Sequence, residues 1–178
     1  RVNADNKIAV RARYNGEART EGTLVMPVVS LSTNYFVSTM GLSPSGEASR
    51  ATIIATQDNT TVSVSPTVLL NLDGANRQPG ETVDLILNRG DDYHIKVSSS
   101  PQDFSGTEIV SDKPIAVYSG HSCAFLNSDL ACNRLVEQMP PVSRWKKRYL
   151  TTPIKTRVAD AIRVLAAYDN TDVSVNGV

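Results

Sequence analysis

Short runs in which apolar and polar residues alternate are the main pattern along this chain. In residues 60–65, Val62 and Val64 alternate with hydroxyl side chains, which is typical of a β-strand with one buried face. Runs of this kind on either side of turn residues predict three hairpins, which pair 51–57 with 60–65, 83–87 with 93–98, and 107–110 with 115–119. Further predictions are strands at 23–29 and 35–40 and a short helical turn at 133–138.

The pattern also repeats along the chain. Residues 51–66 and 162–177 share seven of sixteen positions at an offset of 111, including the sequence DNT. The segments that begin at Met26 and Met139 resemble each other at an offset of 113. Self-similarity at a fixed period indicates repeated structural units, here about 110 residues long with roughly eight short strands.

The phase of the repeats predicts the domain organisation. We expect residues 1–20 to be the last hairpin of a preceding unit and 21–122 to be a complete unit. Residues 123–178 are then a loop followed by the first part of a second unit, and the sequence is expected to be part of a longer chain. The alternative is circular closure, in which the N-terminal hairpin completes the last unit, as in many propellers.

Composition supports the strand predictions. The chain has 20 Val, 9 Ile and 15 Thr against 13 Leu, and β-branched side chains suit a pleated sheet better than a helix. We predict an all-β fold of repeated antiparallel hairpin units in a β-propeller-like array. Tandem β-sandwiches are the alternative, because about 100 residues also suit one sandwich domain.

The net charge and the absence of several sequence motifs exclude some classes of function. With 18 basic and 18 acidic residues the net charge is zero, so the basic field typical of nucleic-acid binding is absent. No apolar run approaches the roughly 20 residues that a membrane span requires. HExxH, Walker and GxGxxG motifs are also absent. We therefore expect no nucleic-acid partner, no span in this segment, no cofactor and no enzymatic activity.

Cys123 and Cys132 are separated by eight residues, which favours a structural disulfide around a short loop and an oxidising compartment. The alternatives are a zinc site with His94 and His121, or a redox pair, but both normally use closer cysteines. His121 beside Cys123 also resembles a base beside a nucleophile. We prefer the interpretation that these two residues lie at the end of a strand that leads into the loop closed by the disulfide.

Two surface features could bind or carry other groups. Asn59 begins the sequon Asn-Thr-Thr on a predicted turn and is a glycosylation candidate. A basic run flanked by two aromatic residues is a weak candidate for polyanion binding, and comprises Arg144, Lys146, Lys147 and Arg148. The alternative for this run is a solvated strand face with Trp145 and Tyr149 packed on the core.

Acidic residues recur in the predicted turns, at Asp58, Asp91, Asp92 and Asp169. Carboxylates in turns can bind calcium, but calcium loops need several ligands at close spacing, as in DxDxDG. None is present, so turn formation explains these residues better. We expect no metal site.

A series of motifs resembles the IgGFc-binding protein N-terminal domain family. The motifs are SDKPIAV at 111–117, GHSC at 120–123, LVEQMPPVS at 135–143, and Trp145. The repeated DNT hairpin and PGET at 79–82 are similar as well. The sequence departs from the family at Lys146 and Lys147, where relatives commonly have a glycine soon after the tryptophan.

The resemblance implies a disulfide between Cys123 and Cys132, and packing of Trp145 beside the Pro140-Pro141 turn. It also implies a secreted or cell-surface module of large multidomain proteins, often beside von Willebrand D-type domains, in mucus, matrix or adhesion. Fc binding by one member does not transfer on similarity of fold alone.

The leading functional hypothesis is a non-enzymatic extracellular module that binds glycoproteins or sister subunits, with self-association as one form. One alternative is a lectin-like module that binds carbohydrate or a polyanion through residues 144–148. The other is an enzyme of unrecognised type around His121 and Cys123.

Overall fold

A computed structural model describes residues 2–15, 20–41, 48–97, 102–125, 132–152 and 162–175. The described part contains β-strands and two short 3-10 helices, Val28–Ser30 and Val142–Arg144. The strands are β1 Val10–Asn15, β2 Thr20–Val25, β3 Ser32–Phe36, β4 Ser49–Ala55, β5 Thr60–Ser65, β6 Leu70–Leu72, β7 Ala75–Arg77, β8 Val83–Leu87, β9 Asp92–Lys96, β10 Glu108–Ala124 and β11 Asn133–Gln138. Every ladder is antiparallel, so the all-β, antiparallel prediction is confirmed.

The long strand β10 is the centre of a seven-stranded sheet. Strands β4 and β5 lie one after the other along one edge of β10. Ala55 of β4 is opposite Ile115, and Val62 of β5 is opposite Ser111. Strands β3 and β11 lie along the other edge, where Ser32 is also opposite Ile115. Strand β8 pairs with β5 and β9 pairs with β4, which completes two connected halves of the sheet.

The three predicted hairpins are therefore wrong in their pairing. Within the described residues 48–97, β4 forms no ladder with β5 and β8 forms none with β9. Residues 108–110 and 115–119 belong to the single strand β10, which begins one residue after the predicted start at Thr107. The predicted turns at 58–59, 88–91 and 111–114 instead carry the chain from one half of the sheet to the other. We call the region formed by these three segments the crease.

Hydrogen bonds between side chains and backbone hold the crease together. The Lys113 ammonium donates to the carbonyl of Asp58 at 2.8 Å and to that of Asn59. Asn59 has a φ of 52°, a left-handed conformation that asparagine tolerates better than most residues. Three more bonds join the same segments, from Thr61 N–H to Asp112 Oδ1 (2.8 Å), Arg89 N–H to Asp58 Oδ1 (3.0 Å) and Asn59 N–H to Asn88 Oδ1 (3.2 Å).

One hydrophobic core lies inside both halves, and the sheet is nearly closed in a barrel-like form. Alternate residues of β4, β5, β8 and β10 enter the core, as Ile53, Val62, Leu85 and Ile115 do. Fully buried Tyr35 joins β3 to the crease, because its hydroxyl donates to the Ile115 carbonyl at 2.7 Å and accepts from Ser32 N–H at 3.0 Å. Burial raises the pKa of Tyr35, against the smaller opposite effect of the Ser32 bond.

Strand ends and a predicted helical turn also differ from expectation. Residues 133–138 form β11 instead of a helical turn, because they pair with the free edge of β10. The strand predicted at 23–29 ends at Val25, and Pro27, which lacks an N–H, precedes the 3-10 helix. The strand predicted at 35–40 ends at Phe36. Units of 110 residues in a propeller-like array remain a prediction.

Gly120 should be essential for the pairing of β10 with β11. A Cβ added there would lie 1.9 Å from the carbonyl oxygen of Leu135, which is backbone and cannot rotate away. We predict that Gly120→Ala lowers the free energy of unfolding by about 2–4 kcal/mol, measured by denaturant unfolding. Gly22→Ala, where the added Cβ would lie 3.0 Å from the Ala12 carbonyl, is the milder control. Equal stability of the two variants would contradict the prediction.

Candidate functional site

A cleft of about 460 Å³ lies on the outer face of the sheet, over β4, β9, β10 and β11. The side chains that line it include Tyr14, Arg50, His94, Tyr118 and Arg134. These side chains come from five different strands. Pairing joins β4, β9, β10 and β11 in the seven-stranded sheet, whereas Tyr14 comes from β1, which forms a separate two-stranded sheet with β2. The two arginine side chains and Tyr14 are exposed, and Tyr118 is partly exposed.

Local contacts orient the polar groups of the cleft. His94 Nε2 lies 2.6 Å from Asp92 Oδ2, and its Nδ1 lies 2.9 Å from the Thr52 hydroxyl. Tyr118 donates to the Gln138 side-chain oxygen at 3.2 Å, and burial, with a smaller effect of Tyr14, raises its pKa. Tyrosine and arginine are enriched in the energetically important parts of protein interfaces. The cleft therefore has the chemistry of a binding surface.

Cys123 and Cys132 form the expected disulfide, with their Cα atoms 5.0 Å apart. It joins the end of β10 to the start of β11 and closes the intervening loop. Because the Cys123 sulfur is bonded to Cys132, it cannot act as the nucleophile or zinc ligand considered above. His121 is buried, and its Nδ1 accepts a hydrogen bond from the Cys123 N–H at 3.0 Å. The enzyme hypothesis around His121 and Cys123 thus loses its nucleophile.

The sequon and the acidic turn residues Asp58, Asp91 and Asp92 lie in or near the crease, whereas Asp169 lies in the described C-terminal segment 162–175. Asn59 is exposed, and its glycosylation remains a prediction. Asp58 Oδ1 accepts from Arg89 N–H and Asp91 Oδ2 from Asn88 N–H, so both carboxylates serve the turns. Among the residues that the structure describes, no three His, Cys, Asp or Glu side chains converge on a possible metal site.

The basic run follows the second 3-10 helix in an irregular segment. Arg144, Lys146, Lys147 and Arg148 are all exposed. Trp145 packs against Phe36 with ring centroids 6.0 Å apart and donates from Nε1 to the Pro140 carbonyl at 3.0 Å, as the resemblance implies. The expectation of a strand face with both rings on the core is wrong, because this described segment has no strand and Tyr149 is exposed.

Comparison with known proteins identifies the family. A family model described as IgGFc binding protein matches residues 21–178. The chain belongs to this family. A curated relative, the IgGFc-binding protein of Homo sapiens, is 28% identical over 179 residues, which cover 98% of this chain and 3% of the relative. The chain thus spans a small fraction of that relative's length. No solved structure matches this chain.

An unexpected polar cluster joins the C-terminal segment of this family member to residues that follow β3 and precede β10 of the seven-stranded sheet, which we call the first sheet. Asp103 Oδ1 accepts hydrogen bonds from the Thr39 hydroxyl at 2.7 Å and from the Ser105 hydroxyl at 2.6 Å. Its Oδ2 lies 2.7 Å from Nη1 of Arg163. Burial would raise the pKa of Asp103, but the bonds from Ser105, Thr39 and Arg163 outweigh burial and lower it.

Neither this cluster nor the cleft had a local signal in the sequence. Arg163 and Asp103 are 60 positions apart, and the strands that line the cleft are widely separated in the sequence. Exposed aromatic and cationic residues at outward strand positions, such as Tyr14 and Arg50, were the one available indication.

The lowered pKa of Asp103 predicts a pH-dependent contribution to stability. Its carboxylate stabilises the fold above the pKa of the unfolded chain, near 4, and this contribution is lost as pH falls through the lower folded-state pKa. We predict that Asp103→Asn costs about 1 kcal/mol at pH 7 and much less at pH 2–3, measured by thermal unfolding. Exposed Asp172→Asn is the control. A cost of Asp103→Asn that does not depend on pH would contradict this assignment.

Proposed function

We propose that this chain is a non-enzymatic interaction module of a secreted or cell-surface protein, which binds glycoproteins or sister subunits in adhesion, mucus or matrix. Membership of the IgGFc-binding protein family carries this proposal. The disulfide supports an oxidising compartment. In the part of the chain that is described, no helix has the length and apolar character needed to span a bilayer.

We place the binding surface at the cleft beside the disulfide-closed loop. The aromatic rings of Tyr14 and Tyr118 supply contact area, and Arg50 and Arg134 supply hydrogen-bond donors and positive charge. The sheet beneath holds these groups in place, which lowers the entropic cost of binding. The name of the human relative makes the Fc glycoprotein of IgG the first ligand to test.

We predict that this chain binds immobilised IgG Fc, measured by biolayer interferometry, and that Arg50→Ala with Arg134→Ala weakens binding at least about tenfold. The matched control is Arg89→Ala, an exposed arginine of the crease. The same measurement with enzymatically deglycosylated Fc shows whether the chain recognises the Fc protein or its glycan. Unchanged affinity of the double variant would contradict the cleft assignment. Absence of binding both to Fc and to a panel of secreted glycoproteins would contradict the proposed function.

The exposed basic run favours a second candidate, the binding of a polyanion such as a sulfated glycan. None of the ion pairs among the described residues involves Arg144, Lys146, Lys147 or Arg148. We predict retention on immobilised heparin, with elution at clearly lower salt for Lys146→Ala with Lys147→Ala. Lys96→Ala with Arg89→Ala is the charge-matched control. Elution of the unmodified chain without added salt would exclude this candidate.

A further inference from the structure

Exposed apolar side chains are concentrated in the C-terminal part of the chain. Those in the described residues 149–152 and 162–175 are Tyr149, Leu150, Ile162, Val164, Tyr168, Val173 and Val175. Soluble proteins rarely leave a large contiguous apolar surface uncovered unless it binds a partner. The arrangement of these residues indicates which partner, because the local structure around them reproduces that of the first sheet.

The two 3-10 helices have the same local structure. Pro27 precedes the first with φ −64° and ψ 150°, and Pro141 precedes the second with φ −65° and ψ 151°. A tyrosine hydroxyl then accepts a backbone hydrogen bond from three residues upstream in both places. The bonds run from Ser32 N–H to Tyr35 at 3.0 Å and from Lys146 N–H to Tyr149 at 2.8 Å.

The two DNT turns also match. Asn59 and Asn170 both have left-handed conformations, with φ of 52° and 56°. The following threonine hydroxyl donates to the carbonyl three residues upstream in each turn, from Thr60 to Gln57 at 2.8 Å and from Thr171 to Tyr168 at 2.7 Å. Segments about 111–114 residues apart therefore adopt the same turns.

Burial is opposite at the equivalent positions. Val62 and Val64 of β5 are fully buried, whereas Val173 and Val175 are 56% and 68% exposed. The same contrast holds for Ile53 and Val164, for Ala51 and Ile162, and for Tyr35 and Tyr149. In the first sheet, β8, β9 and β10 pair with β4 and β5 and enclose these residues in the core.

Arg163 shows which side of the C-terminal segment faces the first sheet. It corresponds to Thr52, which lines the outer face of β4, and it contacts Asp103 and Ser105. Adjacent residues of an extended segment point to opposite sides. Ile162 and Val164, the neighbours of Arg163 in the chain, are exposed, as this alternation predicts.

We propose that the described residues 139–152 and 162–175 belong to the first strands of a second copy of this fold, and that their apolar face binds a second set of strands equivalent to β8, β9 and β10. The occupant is a segment with the pattern of residues 83–122. It adds strands on both sides of the β4-like and β5-like segments, as β8, β9 and β10 do in the first sheet. This proposal rests on the repeated structure and is independent of Fc or heparin binding.

The test extends the full chain after Val178 with a second copy of its own residues 68–122, which continues the repeat and adds no cysteine. Amide hydrogen exchange is then compared at residues 162–175. We expect these amides to exchange at least about 100-fold more slowly in the extended protein than in the unextended chain. The control extension carries Ile109→Asp and Val117→Asp in the added copy, which should abolish the protection. Equal exchange in the extended and unextended proteins would overturn the proposal.

A crosslink tests the register separately. Ser63 is opposite Val110 in the first sheet, so Ser174→Cys should form a disulfide with Val110→Cys of the added copy on oxidation. Asp172→Cys, two residues away on the same side, should crosslink much less. Efficient crosslinking at both positions, or at neither, would contradict the proposed pairing.

Discussion

Strand β10 pairs along both of its edges, and its partner on one edge changes from β5 to β4 between Ser111 and Ile115, where its register with β3 also shifts. Ile115 has a neighbour on each side, Ala55 and Ser32, and its carbonyl also accepts from Tyr35. Both halves of the sheet therefore meet at one residue and share one core. A disruption of the crease should weaken both halves together, because neither half has a separate core.

The candidate site depends on the same strand. The second half of β10 carries Tyr118 in the cleft, Gly120 against β11, and Cys123 in the disulfide. Close approach of β11 over Gly120 places Arg134 beside the cleft, and the disulfide joins the ends of these two strands. The disulfide thus stabilises the edge of the cleft as well as the loop that it closes.

Alternation of apolar and polar residues was sufficient to predict the class of fold and the positions of several strands. The alternation around Val62 and Leu85 predicted strands at 60–65 and 83–87, and β5 and β8 have these bounds. Pairing could not be predicted, because Asp58 and Asn59 allow a hairpin turn and a passage between sheet halves equally well. The crease depends on Lys113, which is 55 positions from Asp58. Contacts over that distance have no local pattern.

The disulfide could be predicted because its two cysteines lie close in sequence. The cleft and the Asp103 cluster could not, since their members are brought together only by the completed sheet. For Tyr149 the sequence was misleading. The residues around Tyr149 resemble those around buried Tyr35, but Tyr149 itself is exposed.

Cross-strand NOEs from β10, measured by NMR on the intact chain, test the two-edged pairing most directly. We predict NOEs from Ile115 to both Ala55 and Ser32, and from Val110 to both Ser63 and Asn34. NOEs that pair Ile54 with Ser63, or Val110 with Ile115, would show independent hairpins and would contradict the shared strand and crease.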